Sequence, residues 1–219
     1  MNKHINYSSL TIVFLFFLCS CVSKKELLYL QDIQALNNSK VLSSKNTLQE
    51  NDILKIDVTS LEIDASIPYN KNSLVNNFGN SLQLLQLNGY LVSTNKTINF
   101  PVLGEISVAE KTSQDLEKYL KNLLEAGGHL INPNVTVRLL NSKVTILGEV
   151  RNPGTFTFTE KNISLLQALG LAGDLTIDGN RKNIIVIRES NGQRTTTNID
   201  LTSASWLSSL YQNIQPNDV

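Results

Sequence analysis

The stretch from Lys143 to Asp174, KVTILGEVRNPGTFTFTEKNISLLQALGLAGD, decides the fold class of this chain. Val144, Ile146 and Val150 alternate with polar neighbours, the period of a half-buried strand. Asn152-Pro153-Gly154 signals a turn, because proline presets φ and glycine accepts a positive one. Thr155 to Thr159 (TFTFT) is β-branched and aromatic, and strand geometry points both phenylalanines to one face. Ser164 stands three residues before Gln167, a capping-box spacing that opens an apolar run closed by Gly173. The order is strand, turn, strand, capped helix, turn. No catalytic group is evident in it; the unit reads as a packing and recognition module.

Working outward, the chain has 219 residues, enough for one or two domains with a real core. Its formal net charge is zero and it carries no basic stripe, which argues against nucleic acid as a partner. Lys3 gives a positive n-region, Leu10 to Leu18 (LTIVFLFFL) an apolar h-region, and Leu18-Cys19-Ser20-Cys21 a small-residue cleavage site. That apolar run is nine residues long, short of the about 20 a membrane-spanning helix needs. The site resembles a bacterial lipobox, so residues 1–20 read as a lipoprotein signal peptide and Cys21 as the lipidated first residue. Val22 and Ser23 follow it without an aspartate, which favours the outer membrane. Both cysteines fall in this segment, so no disulfide is expected in the mature chain and thiol catalysis is disfavoured.

Residues 21–46 read as the lipidated N-terminus and a tether with one sticky patch, Leu27-Leu28-Tyr29-Leu30-Gln31-Asp32. After an Asn51-Asp52 turn, Leu54, Ile56 and Val58 share one face of a strand. Asp64 to Leu87 is weakly patterned, with Pro68 and several asparagines for loop and a leucine run at 82–87 for a short helix or strand. Tyr90–Val92, Thr97–Phe100 and Glu105–Val108 read as short strands. A helix follows from Lys111-Thr112-Ser113 to Ala126. Its stripe of Leu116, Tyr119, Leu120, Leu123 and Leu124 faces a core, and Gly127-Gly128 ends it. Val135, Val137 and Leu139 form the next strand. Beyond Asp174, Asn183–Arg188 reads as a buried strand, Asn191-Gly192 as a turn, Thr195–Leu201 as its hairpin partner and Thr202–Tyr211 as a short helix. Gln215 to Val219 reads as a turn and the first residue of a strand. Val102-Leu103-Gly104-Glu105-Ile106 echoes Ile146-Leu147-Gly148-Glu149-Val150, which suggests glycine at a bulge or a close approach in both.

The mature chain has one histidine, His129, and no G-x-S-x-G elbow to pair with it. No metal-ligand cluster, Walker motif or dinucleotide fingerprint is present, so catalytic, cofactor and metal residues are none. Glu149 and Asp174, beside glycines, are the candidate carboxylate pair, with solvated turn residues as the plainer reading. Arg181, Lys182 and Arg188 suit an anionic ligand path or a hairpin rim. Trp206 and Tyr211 suit a sugar-stacking face or a docked helix.

In order and spacing these segments resemble the polysaccharide biosynthesis/export lipoproteins of the outer-membrane Wza type. Tyr29-Leu30-Gln31-Asp32, Asn51 to Val58, Gly89 to Val92 and Ile98 to Ile106 are similar to the family's export domain, and Val144 to Gly154, Ala172-Gly173-Asp174, Gly179-Asn180-Arg181 and Gln215 to Asp218 to its SLBB domain, a β-grasp-like soluble-ligand-binding module. The resemblance implies an α+β fold of two small β-rich modules: an export domain over 47–141, with strands and one amphipathic helix, then an SLBB domain over 142–219 that is C-terminally incomplete. It implies a non-enzymatic component that self-assembles into a periplasmic ring, passes polysaccharide, and works with an inner-membrane polysaccharide copolymerase, often one with tyrosine-kinase activity. It implies an outer-membrane location, held by lipid on Cys21, with the bulk of the chain periplasmic. The alternative is a monomeric lipoprotein whose SLBB-like module binds a glycan without moving it. Larger members continue past the Pro-Asn-Asp-Val position, so the pore through the membrane is expected either from a missing segment or from another protein.

Overall fold

The computed structural model describes residues 27–36, 46–71, 81–190 and 192–219. The signal segment and Cys21 lie outside the described residues, as do much of the tether and Asn191 of the expected Asn191-Gly192 turn. The described residues form two α+β modules, each with its own apolar core.

In the first module, β1 (Ile53–Thr59) buries Leu54, Ile56 and Val58 and turns Lys55 and Asp57 outward, because alternate residues of a strand face opposite sides. Asn51, at φ 66°, makes the turn that precedes it. The weakly patterned stretch gives α1 (Ile63–Ser66), a 3-10 turn at Ile67–Tyr69, and α2 (Leu82–Leu87). Ser81 caps α2, so the leucine run is helix rather than strand. β2 (Tyr90–Leu91), β3 (Thr97–Phe100) and β4 (Gly104–Ser107) follow, then α3 (Ser113–Ala126) and β5 (Asn134–Leu139). The sheet order is β2-β1-β5, all antiparallel, with Ile56 opposite Val137; β3 and β4 form a hairpin.

α3 is the helix that the leucine spacing predicts. Thr112 and Asp115 close a reciprocal capping box, and Gly128 at φ 68° follows the C-cap Gly127. Leu116, Leu120 and Leu124 are wholly buried, while Tyr119, 39% exposed, marks the edge of the stripe. Glu117 accepts the Val137 N–H at 2.9 Å, which gives a backbone donor on the edge strand β5 a partner.

In the second module, β6 (Lys143–Ile146) pairs with β7 (Gly154–Thr157), placing Val144 opposite Phe156. β8 (Ile163–Ser164) enters α4 (Leu165–Leu171) through the capping box of Ser164 and Gln167. β9 (Ile184–Ser190) and β10 (Gln193–Ile199) form a hairpin, and β11 (Asn213–Ile214) pairs with β8.

Four expectations change in detail. The strand expected to reach Val150 stops at Ile146, because Gly148 takes φ 92°; Val150 returns as an isolated bridge to Leu175. Gly104, in the echoed pattern, also has a positive φ, and a Cβ at either glycine would meet nothing within 4 Å. Backbone handedness rather than close approach is therefore what asks for glycine at both sites. β9 is buried on one face only, since Ile185 is 52% exposed beside buried Val186. The helix expected over Thr202–Tyr211 is a 3-10 turn, Ser205–Ser208, that sinks Trp206 into the core.

Leu120→Ala is expected to cost about 3 kcal/mol, since it removes a fully buried leucine and leaves a cavity. Tyr119→Ala on the same helix should cost far less. Urea denaturation of the mature chain followed by circular dichroism measures both.

Candidate functional site

The larger concavity is a polar groove of about 590 Å³ where the modules meet. The first module contributes Asn46–Gln49, Asp52, the N-terminal turn of α3 and Thr136–Leu139; the second contributes Thr159–Asn162, Glu189, Ser190 and Gln215–Asn217. Its side chains are mainly hydroxyls, amides and carboxylates, with no aromatic ring among them. Asn46 donates to Asn162 across the junction at 3.3 Å, and Thr47 bridges to Thr112. Asp52 is the buried acid of this groove, 5% exposed. Burial pushes its carboxyl up to about 6, only partly offset by the Gln49 N–H that it accepts at 2.8 Å.

A second, apolar concavity of about 410 Å³ lies between β6 and β9 in the second module. Ile146, Leu147, Leu165, Leu169 and Ile184 line it. Asp218 and Val219 lie along it: the Thr145 N–H donates to the Asp218 carbonyl at 3.0 Å, and Val219 exchanges two backbone hydrogen bonds with Ile187.

The structure parts the three basic candidates. Arg188 is buried and holds Asp218 through Nε and Nη2, at 3.0 and 2.7 Å, while Nη2 also donates to the Asn213 carbonyl. Its guanidinium lies 4.8 Å from the centre of the Tyr211 ring. Arg181 is also buried and donates to the carbonyls of Thr176 and Gly179. Only Lys182 of the three is exposed. The two arginines are internal braces, not the lining of an anion path.

Tyr29, from the sticky patch, lies over Arg181 with its ring centre 5.5 Å from the guanidinium carbon, and its hydroxyl donates to Asp174. Burial first, and then the Asp174 carboxylate, push the Tyr29 phenol far above its usual range. The neighbouring backbone continues the contact: the Leu30 and Gln31 N–H groups donate to the carbonyls of Leu201 and Thr202 at 3.0 and 2.8 Å. Asp32 accepts from the Ala204 N–H and the Ser203 hydroxyl, and these two, in that order, hold its carboxyl below the usual carboxylate range. Tyr29–Asp32 is thus docked on the second module.

Glu149 and Asp174 come near each other only through backbone, the Thr176 N–H donating to the Glu149 carbonyl at 3.0 Å. Their carboxylates serve separate partners, Thr176 Oγ1 for Glu149 and Tyr29 with the Leu175 N–H for Asp174. His129 is exposed and meets the Tyr69 hydroxyl at 3.1 Å. Trp206 is core, so its ring offers no face to a sugar. The described residues hold no cluster of three or more metal-ligating side chains, and no helix among them is long and apolar enough to cross a membrane. Sequence reasoning missed Asp218 as the partner of Arg188. The available signal was the parity of Val186 and Arg188, which puts a cation on the buried face and demands a carboxylate.

The described residues thus form a sheet-and-helix module followed by a hairpin module braced by buried arginines. Residues 41–140 match the model of the polysaccharide biosynthesis/export protein family, and residues 143–198 match that of the SLBB domain. Residues 41–140 are thus an export-family domain and residues 143–198 an SLBB domain, in this order. It is similar to the EPS I polysaccharide export outer membrane protein EpsA of Ralstonia nicotianae, 33% identical over 106 residues that cover 47% of this chain and 27% of that protein. The protein of the same description from Ralstonia solanacearum is 32% identical over 104 residues, covering 46% and 27%. The matched part of the chain spans about a quarter of the length of these curated relatives.

Asp52 makes a pH prediction. Its folded value of about 6 lies above the ordinary 3.8, so its contribution is fully present below about pH 4 and is lost as pH rises to 6. Asp52→Asn should remove that loss and gain roughly 3 kcal/mol on the parent between pH 4 and pH 7. Denaturant titrations of both chains at the two pH values check it.

Proposed function

We propose that this chain is an outer-membrane lipoprotein of a capsular or extracellular polysaccharide export machinery, in which copies of it form a periplasmic ring that conducts the polymer. The observation that carries the reading is the order of the two matched domains, export over 41–140 and SLBB over 143–198. The relatives' descriptions as polysaccharide export outer membrane proteins support it. So does the lipobox-like segment ending in Cys21, the proposed lipidation site.

In this reading residues 1–20 are removed, 21–46 carry lipid and lead, 47–141 are the export domain and 142–219 the SLBB domain. The chain acts by holding a passage rather than by turning over a substrate, and an inner-membrane polysaccharide copolymerase delivers the polymer to it. A ring needs lateral surface that a neighbouring copy covers. Leu61, Ile63 and Ile67, exposed by 95%, 76% and 51%, offer apolar surface of that kind on the export module.

Deleting the gene should abolish surface polysaccharide while precursor still accumulates inside the cell. The wild-type gene should restore export, and Cys21→Ser should not. The lipidated protein extracted in mild detergent should have the mass of a discrete high-order ring, and Ile63→Asp should shift it toward smaller species with unchanged circular dichroism. A strict monomer at every concentration would sink the conduit and leave glycan binding by the SLBB module.

A further inference from the structure

We propose that the sheet of the second module continues from one copy of the chain into the next, the open edge of β10 pairing antiparallel with the open edge of β7 in a neighbouring copy. This rests on the ring reading and names a surface that joins its subunits.

The backbone bonds define where the sheet ends. Residues 217–219 lie between the two hairpins. The Asn217 N–H donates to the Lys143 carbonyl and the Thr145 N–H to the Asp218 carbonyl, while Val219 exchanges two bonds with Ile187. The first two bonds advance in the same sense on both segments, so 217–219 runs parallel to β6; the exchange with Ile187 makes it antiparallel to β9. The order across the module is therefore β7, β6, 217–219, β9, β10, with β7 and β10 at its edges. The same bonds fix which groups face outward. Ile187 is committed to Val219, so its partner Thr196 turns its N–H and C=O away from β9, and Arg194 and Asn198 do the same by alternation. On β7, Thr155 and Thr157 lie opposite Thr145 and Lys143, whose bonds go to 217–218, and they too point outward.

β10 is not built as a protected edge. It has seven residues without proline or glycine, and Gln193–Thr196 and Asn198 are all exposed. Its one charge, Arg194, donates through Nε to Glu189 at 2.6 Å across the hairpin, which leaves the edge backbone open. Its three consecutive threonines favour extended backbone. Soluble proteins ordinarily blunt such an edge with lysine, proline, a bulge or a covering group. The first module does so, since Glu117 accepts the Val137 N–H on edge strand β5. β7 offers the matching half: Gly154–Thr157 carries no charge, and Phe156 is only half-buried. β7 and β10 run in opposite directions, so a copy placed head to tail by rotation presents its β7 antiparallel to β10. Each copy then uses β10 toward one neighbour and β7 toward the other, an arrangement that rotation closes into a ring. Pairing of β10 with β10 across a twofold axis would stop at a dimer.

The test uses the lipidated full-length protein. Thr196→Pro removes an outward N–H that the β9–β10 ladder does not use, and Thr196→Lys puts a charge on the edge without altering the backbone. Both should shift the mass of the detergent-extracted protein from a high-order ring toward monomer, with unchanged circular dichroism. The mature chain has no cysteine besides Cys21, so thiols can be placed singly or in pairs. Thr155→Cys or Thr157→Cys combined with Thr196→Cys should give, on mild oxidation, a ladder of covalent multimers that ends at the ring size. Each single variant should stay monomeric on a denaturing gel. A parent chain that is a strict monomer overturns the ring reading and this pairing with it. A ring-forming parent whose mass is unchanged in both position-196 variants, or whose double-cysteine variants all fail to crosslink, overturns the pairing alone. Crosslinking of Thr196→Cys by itself into dimers assigns the edge to a twofold contact and overturns the head-to-tail pairing.

Discussion

The second module depends on one buried ion pair. Arg188 occupies the inward face of β9, two residues after buried Val186, and a guanidinium there costs several kcal/mol of lost hydration unless a carboxylate meets it. Asp218, 1% exposed, does so through both oxygens and accepts the Gln215 N–H as well. The pair gathers parts of the chain that no continuous ladder joins. β6–β7 and β9–β10 are separate hairpins, and the Asp218 carbonyl is bonded to β6 while its side chain is bonded to β9. Desolvation offsets much of the attraction in such a pair, so its main effect is geometric. It fixes which segment lies between the two hairpins.

The first module relies on a different device, a leucine stripe on a capped helix laid against an alternating strand pair. Glu117 reaches from the helix to the edge strand, where it accepts the Val137 N–H. Where the modules meet, the chain passes from β5 to β6 through Leu140–Ser142, and the early segment at Asn46 and Thr47 touches both sides. Among the described residues, Tyr29–Asp32 contact the second module while Asn46 and Thr47 touch both sides of the junction. The groove left between them is polar because its walls are a helix N-terminal turn, strand ends and turns, where hydroxyls and amides serve as caps.

Much of this was legible in the sequence because local physics decides it. The α3 stripe, the Ser164–Gln167 capping box, the alternation of Leu54, Ile56 and Val58, and the Asn-Pro-Gly turn each depend on residues within one turn or one strand. The misses share a cause as well. Asn183 to Arg188 reads as a buried strand until the pairing with β10 leaves Ile185 outside. Trp206 reads as either a sugar-stacking ring or a docked one until the fold sinks it into the core. Arg181, Arg188 and Asp174 all look like exposed polar residues, and only the distant segments carrying Tyr29 and Asp218 make them internal. Long-range pairing of polar groups leaves no period to read. It leaves only a parity, a charge on an inward position, as a clue. The groove itself had no signature at all, since it is made of turn residues chosen for local reasons.

The contact of Tyr29 and Asp32 with the second module also orders events in time. Its three side-chain hydrogen bonds close loops of 145, 171 and 172 residues, so residues 29–32 are made early and their partners much later. Until residue 174 has been made Tyr29 lacks its side-chain partner, and until residue 204 has been made Asp32 lacks one of its two. The entropic cost of closing a longer loop grows only slowly, about 0.6 kcal/mol for each doubling, so the delay costs little stability. Long-range contacts of this kind form late in folding. The fastening of residues 29–32 therefore waits for the second module to be made, however early those residues themselves appear.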